Sequence, residues 1–198
     1  MPSILIATAN KGKAREFQEM LGHAWDVKTL LDLPHVPEIV EDGETFAANA
    51  LKKAQALRGI FDGPVLADDS GLEVDVLGGA PGVHSARYAG VHGDDAANNR
   101  KLLEALRGRL PAERGAQFHC VLCLVSAGEP DAYFEGICRG HILGEPRGTG
   151  GFGYDPLFLP DGFDRSMAEL SSAEKHAISH RGRAMRRARE ALLGGHEA

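Results

Sequence analysis

Apolar positions along the chain alternate between strand-like runs and helical repeats. Residues 4–7 form a continuous apolar run of strand length, and 8–12 read as the turn that follows. Phe17, Met20 and Leu21 recur at helical spacing, which predicts a helix over 13–21. A second helix is predicted from about Thr45, a candidate N-cap, with Phe46, Ala50, Leu51, Ala54 and Leu57 on one face. Residues 65–67 predict a short buried strand that ends in a turn at Asp68, Asp69, Ser70 and Gly71. Leu72, Val74 and Val76 then alternate as a strand with one solvated face. Asp94 or Asp95 opens a helix carrying Leu102, Leu103 and Leu106. Residues 118–125 are apolar on both faces, as in a central strand, and 133–138 and 139–143 predict two more. Ser171 and Glu174 have capping-box spacing, and Met185, Ala188 and Leu192 repeat at helical spacing beyond Gly182. Strand and helix alternating in this way predict an α/β fold without internal repeats.

Composition narrows the functional classes. With 43% of its 198 residues apolar and 25% charged, the chain can bury a sizeable core as a single domain over 1–198, or as one domain in two lobes. Its 22 basic and 28 acidic side chains leave a charge of −6. That balance argues against a protein that coats nucleic acid, because neutralising phosphates takes a basic excess. Three cysteines make no disulfide framework and suit a reducing compartment. The first twelve residues carry neither the apolar core of a signal peptide nor the length of a membrane span. The expectation is a cytoplasmic protein with no nucleic-acid or membrane partner.

Five segments could carry chemistry. Thr8, Ala9, Asn10, Lys11, Gly12 and Lys13 leave a buried strand and enter a helix, where backbone N–H groups and lysines can hold an anion. They lack the spacing of a Walker A loop, and a solvated turn would look similar. Asp68 and Asp69 adjoin at a strand end. Alternation sends their side chains apart, so one can bind a hard cation or activate water while the other anchors the turn. An ordinary turn at Asp-Ser-Gly explains them as well. The acidic stretch 38–43 could complete a metal's oxygen shell or favour the N-terminus of the next helix. In 148–156, glycines interrupted by Phe152, Tyr154 and Asp155 would let backbone pack on a flat ring and an aromatic stack on a base. Finally, Lys175, His180 and Arg181 suit donation to phosphate or to ring oxygens. His176 and His180, four apart, lack the third ligand of a zinc site, and Cys120 and Cys123 read as core residues.

The order of these motifs closely resembles the inosine/xanthosine triphosphate pyrophosphatase family from residue 4 to about 191. Further matching stretches are 44–46 with 49–50, 78–83, 85–88 and 179–181. The resemblance implies an elongated α/β fold with a long twisted mixed sheet, two lobes and a central substrate cleft, usually in a homodimer. It implies hydrolysis of ITP, dITP or XTP to the monophosphate and pyrophosphate with Mg²⁺. Carried over by motif, Asp69 is the general base and a metal ligand, and Thr8 to Lys13 cradle the triphosphate. Ser70 contacts substrate, Lys175 lies near phosphate or base, and Phe152, Gly153, Tyr154, Asp155, His180 and Arg181 form the base pocket. Val40 stands where many bacterial members have Glu, so Glu41 is taken as the second metal carboxylate, with Glu38 in reserve. The rival expectations are a pyrophosphatase for other modified nucleotides and a non-catalytic nucleotide sensor.

Overall fold

The computed structural model describes residues 1–194. Six strands form one mixed sheet in the order β2-β1-β3-β4-β5-β6, with β1 Ser3–Ile6, β2 Asp26–Thr29, β3 Val65–Val74, β4 Gly115–Val125, β5 Ala132–Ile142 and β6 Phe158–Pro160. β1 runs parallel to β2 and β3, whereas β5 and β6 are antiparallel. The helices are α1 Lys11–Leu21, α2 Phe46–Leu57, α3 Asp95–Ala105, α4 Ser172–Ile178 and α5 His180–Gly194. This is the mixed α/β architecture expected from the sequence.

The chain divides into two compact units. The first comprises Met1–Asp69, Cys120–Gly136 and the chain from Arg181, and the second comprises Ser70–His119 and Ile137–His180. In the first unit the sheet is buried on both faces. Ile4, Ile6, Leu66, Cys120 and Leu122 pack with Phe17 of α1 and with Ala184, Met185 and Ala188 of α5. Leu5, Ala7, Val65, Ala67, Cys123 and Val125 pack with Ala50, Ala54 and Leu57 of α2. Successive strand residues therefore serve opposite cores, which is why this part of the chain reads as unbroken apolar runs. In the second unit one face packs Leu72, Val74, Ala116, Phe118 and Ile142 against Leu102 and Leu106. The other carries polar pairs such as Gln117 with Glu73 (2.7 Å) and Arg139 with Asp75 (2.7 Å).

Three boundaries differ from the sequence expectation. No turn interrupts β3 at Asp68–Gly71, since Val65–Val74 is one ten-residue strand. Residues 132–142 are likewise one strand, where the sequence pattern predicts two. The C-terminal helical repeat begins before Gly182, at His180: Ser179 is extended (φ −65°, ψ 157°) and its N–H caps α4 on the Lys175 carbonyl. His176 and His180 thus lie on different helices. The capping box that starts α4 is present as expected, with Ser171 accepting from the Glu174 N–H. Hydrogen bonding from Arg165 (2.6 Å), and then from Ser171, lowers the Glu174 carboxyl to about 2.

Candidate active site

The turn after β1 is tighter than its composition suggests. Thr8 Oγ1 accepts from the Asn10 N–H (3.1 Å), and Asn10 Oδ1 accepts from the Lys13 N–H (3.0 Å), so Asn10 is the N-cap. Helix α1 consequently starts at Lys11, two residues before its predicted start. Lys11, Gly12 and Lys13 then form a first turn whose dipole and N–H groups favour an anion. Thr8 is buried, Ala9 and Lys11 are exposed, and Lys13 is half-buried with its ammonium on Asp68.

Asp68 and Asp69 sit within a strand covered on both faces, and alternation gives each its own helices. Asp68 points with Leu66 towards α1 and α5. There Arg181 Nε donates to its Oδ2 (3.0 Å), the Cys120 thiol donates to the same oxygen (3.2 Å), and Lys13 pairs with the other oxygen. Burial alone would raise this carboxyl, but Arg181, Lys13 and Lys53 hold it well below its ordinary value. Arg181 also donates to Glu16 Oε2 at 2.6 Å. Asp68 is therefore the hub of a buried ion network; the turn that one of the two aspartates is expected to anchor is absent, because β3 runs on through Val74.

Asp69 points with Val65 and Ala67 towards α2. Asn49 Nδ2 donates to its Oδ2 (3.1 Å) and Lys53 Nζ to its Oδ1 (3.1 Å). The same Lys53 ammonium reaches Glu41 Oε2 at 3.1 Å. Asn49 also exchanges hydrogen bonds with the backbone of Gly43, tying the acidic loop to the strand. Glu41 and Asp69 are thus brought to one ammonium, whereas Glu38 is exposed. Burial raises the Asp69 carboxyl against the pull of Lys53 and Lys13. Burial would lower Lys53, but Asp69, Glu41 and Asp68 raise it above its ordinary value, so it stays charged.

Sequence reasoning assigned no role to Lys53 or Asn49. The signal was there: the buried stripe Phe46, Asn49, Ala50, Lys53, Ala54, Leu57 carries two polar residues one turn apart on an otherwise apolar face. Their importance can be tested through Asp69. In Lys53→Met the strongest opposing charge beside Asp69 disappears, so its carboxyl rises further. Activity that needs the ionised form is then lost at higher pH. The acid limb of kcat/KM is expected to move up by about 1–3 pH units. An unmoved limb would mean that Lys53 does not tune Asp69.

No three His, Cys, Asp or Glu side chains among the described residues are gathered as a metal cage. The donor set that is present, two carboxylates facing one cation, suits Mg²⁺, which commonly binds through one or two carboxylates plus substrate phosphates. Zinc would call for His or Cys ligands.

The second unit holds the aromatic-glycine segment. Asp155 is buried, with its Oδ2 accepting from the Phe152 N–H (3.0 Å) and from Lys175 Nζ (2.5 Å). Lys175 also lies over the Phe152 ring, 4.7 Å from its centroid. Tyr154 is turned inwards: its ring joins the core and its hydroxyl donates to the Ser85 carbonyl (2.7 Å), with burial raising the hydroxyl's pKa. Phe152 is half-buried. Two of the glycines pack on protein backbone. A Cβ at Gly150 would stand 2.7 Å from the Ala168 carbonyl oxygen, and one at Gly148 2.8 Å from its carbon. Ser70 follows Asp69 on β3, half-buried. His180 is buried and stacks on Phe118, with ring centroids 4.8 Å apart. Arg181, expected at the base, is 2% exposed and committed to Asp68 and Glu16.

Residues 4–191 match the model of the Ham1 family. A dITP/XTP pyrophosphatase of Bacillus licheniformis is 50% identical over 188 residues, covering 94% of this chain and 96% of the relative. The Ham1 protein of Staphylococcus aureus superposes with a TM-score of 0.85 at 38% identity, over 98% of this chain and 99% of that one. A nucleoside-triphosphatase/dITP/XTP pyrophosphatase of Mycobacterium abscessus gives 0.73 at 42% identity, covering 93% and 96%.

Proposed function

The chain belongs to the Ham1 family, and from that membership we propose that it hydrolyses deaminated purine nucleoside triphosphates, ITP, dITP and XTP, to the monophosphate and pyrophosphate. It thereby removes them from the nucleotide pool before incorporation. The observation that carries the mechanism is the pairing of Asp69 with Lys53, Asn49 and Glu41.

Asp69 is the general base. It takes a proton from water as the water oxygen attacks the α-phosphorus and the bond to the leaving pyrophosphate breaks. Asn49 holds one carboxylate oxygen and Lys53 the other, fixing the direction in which the base points. The first turn of α1, with Lys11 and Lys13, binds phosphate oxygens. Asp68 fixes the Lys13 ammonium, and Arg181 supports Asp68. Glu41 and Asp69 would hold Mg²⁺, which when bound spreads the charge that develops on the phosphates.

Base recognition falls to Phe152, Lys175 and His180, supported by Asp155. A donor aimed at a 6-oxo group meets the 6-amino group of adenine donor to donor, a mismatch that can discriminate by about 10⁴-fold in sites of this kind. A homodimer and a cytoplasmic location complete the proposal. The sequence resemblance supports the homodimer, and three free cysteines suit a reducing compartment.

Product analysis tests the reaction. With Mg²⁺, ITP, XTP and dITP are expected to give monophosphate and pyrophosphate, and GTP and ATP little of either. Chelation with EDTA should stop turnover. Orthophosphate as the product would place the cleavage at another bond, and undiminished turnover in EDTA would remove the metal from the scheme.

A further inference from the structure

The Phe152 ring is only as well placed as the peptide that follows it, and that peptide is held from an unexpected side. Gly153 lies between Phe152 and the buried Tyr154 in the left-handed region (φ +61°), with nothing within 4 Å of where a Cβ would stand. Side-chain packing therefore does not fix it there. Two hydrogen bonds do: its N–H donates to Asp95 Oδ2 at 2.8 Å, and its carbonyl accepts from Asn99 Nδ2 at 3.0 Å. Asp95 and Asn99 stand one turn apart on α3, so a single helix face grips both polar groups flanking this one residue. Helix capping does not account for Asp95, because Asp94 is the N-cap and accepts from the Ala97 N–H at 3.0 Å. Nor does Asn99 duplicate its neighbour. Asn98 holds the backbone of Ala86 and Ala89.

We propose that Asp95 and Asn99 are positioning residues for base recognition, setting the Phe152 ring through the Gly153 peptide. The proposal deepens the function argued above and rests on it. Both side chains act on the Gly153 backbone. Their effect is on the orientation of a stacking surface, and stacking geometry determines how well a flat purine is held.

Calorimetric titration of the full chain separates this role from a structural one, using IMP, AMP and inorganic tripolyphosphate as probes. Asp95→Ala and Asn99→Ala are expected to bind IMP about tenfold more weakly, as for loss of one ordinary hydrogen bond. Tripolyphosphate, which has no base, should bind as to the wild type. Asp95→Asn, whose amide oxygen still accepts from Gly153, should restore most of the IMP affinity. In steady state KM for ITP should rise about tenfold in the alanine variants, with kcat within about twofold. Unchanged IMP affinity in both alanine variants would overturn the proposal. So would parallel weakening of IMP and tripolyphosphate, which would mean that α3 merely supports the fold. Should Asn99→Ala fail to fold, the exposed Asp95 pair of variants decides alone. A wild type that binds IMP no better than AMP would overturn the base-pocket reading itself, an outcome distinct from a wild type that discriminates and variants that do so equally.

Discussion

Asp69→Asn is expected to lower kcat on ITP by about 10²–10⁴-fold, the range over which a positioned general base contributes. Binding should change little. The asparagine side chain has the same shape, and its oxygen can still accept from Asn49 or Lys53, whose bonds to Asp69 are 3.1 Å each. Loss in kcat with KM retained is the signature of an interaction made in the transition state. Neutralising Asp69 leaves Lys53 paired with Glu41, so the helix face does not acquire an unpaired charge and the fold should survive. Single-turnover hydrolysis with ITP, alongside calorimetric binding of ITP, checks both halves. Hydrolysis at the wild-type rate would remove Asp69 as the base. Lost binding would show that the substitution acts on the metal and phosphate sites and not on proton transfer.

Why Asp69 is legible while its partners are not follows from the kind of signal each leaves. Local chemistry marks Thr45, Ser171 and the pair Asp94 and Asp95, because a cap is decided by residues within one turn; Thr45, Ser171 and Asp94 act as N-caps. Long apolar runs mark β1 and β4. β2, with the sequence Asp-Val-Lys-Thr, and the three-residue β6 sit at the sheet's two edges with little periodicity to show. The continuity of β3 is illegible for a different reason. Asp-Asp-Ser-Gly reads as a turn because two adjacent carboxylates in a buried strand are costly unless each finds cations. Those cations arrive from helices distant in sequence: Lys13 on α1 and Arg181 on α5 for Asp68, Lys53 on α2 for Asp69. Tertiary pairing overrides the turn preference, and no local window contains it. The same holds for Arg181. Its motif points to the base, while its burial, seen only in the fold, ties it to Asp68 and Glu16.

Arg181→Met is expected to destabilise the protein by about 3–5 kcal/mol, because it strips the shared partner from two buried carboxylates. Arg181 donates to Asp68 at 3.0 Å and to Glu16 at 2.6 Å, and all three side chains are almost wholly buried. The pH dependence gives the prediction its sign. In the wild type the Asp68 carboxyl is depressed below its ordinary value. The stability it contributes is therefore fully present above the unfolded carboxylate's value, near pH 4, and is lost as pH falls through the depressed folded value. Without Arg181 burial pushes that carboxyl up, with only the lysines opposing. The variant must then bury a charge or take up a proton at neutral pH. The destabilisation is expected to be largest near pH 7 and to shrink towards about pH 4, where the carboxyl is increasingly protonated in the unfolded chain as well. Adding Glu16→Gln and Asp68→Asn to Arg181→Met should recover much of the loss, since removing all members of a buried network leaves no orphaned charge. Urea unfolding at the two pH values measures this directly. A loss below about 1 kcal/mol, or one equal at both pH values, would mean that Lys13 and Lys53 alone suffice to hold Asp68 ionised. If the loss behaves as expected, the triple variant should still be poor in catalysis. Asp68→Asn removes the carboxylate that pairs with the Lys13 ammonium, and the turn proposed to bind phosphate loses the charge that aims it.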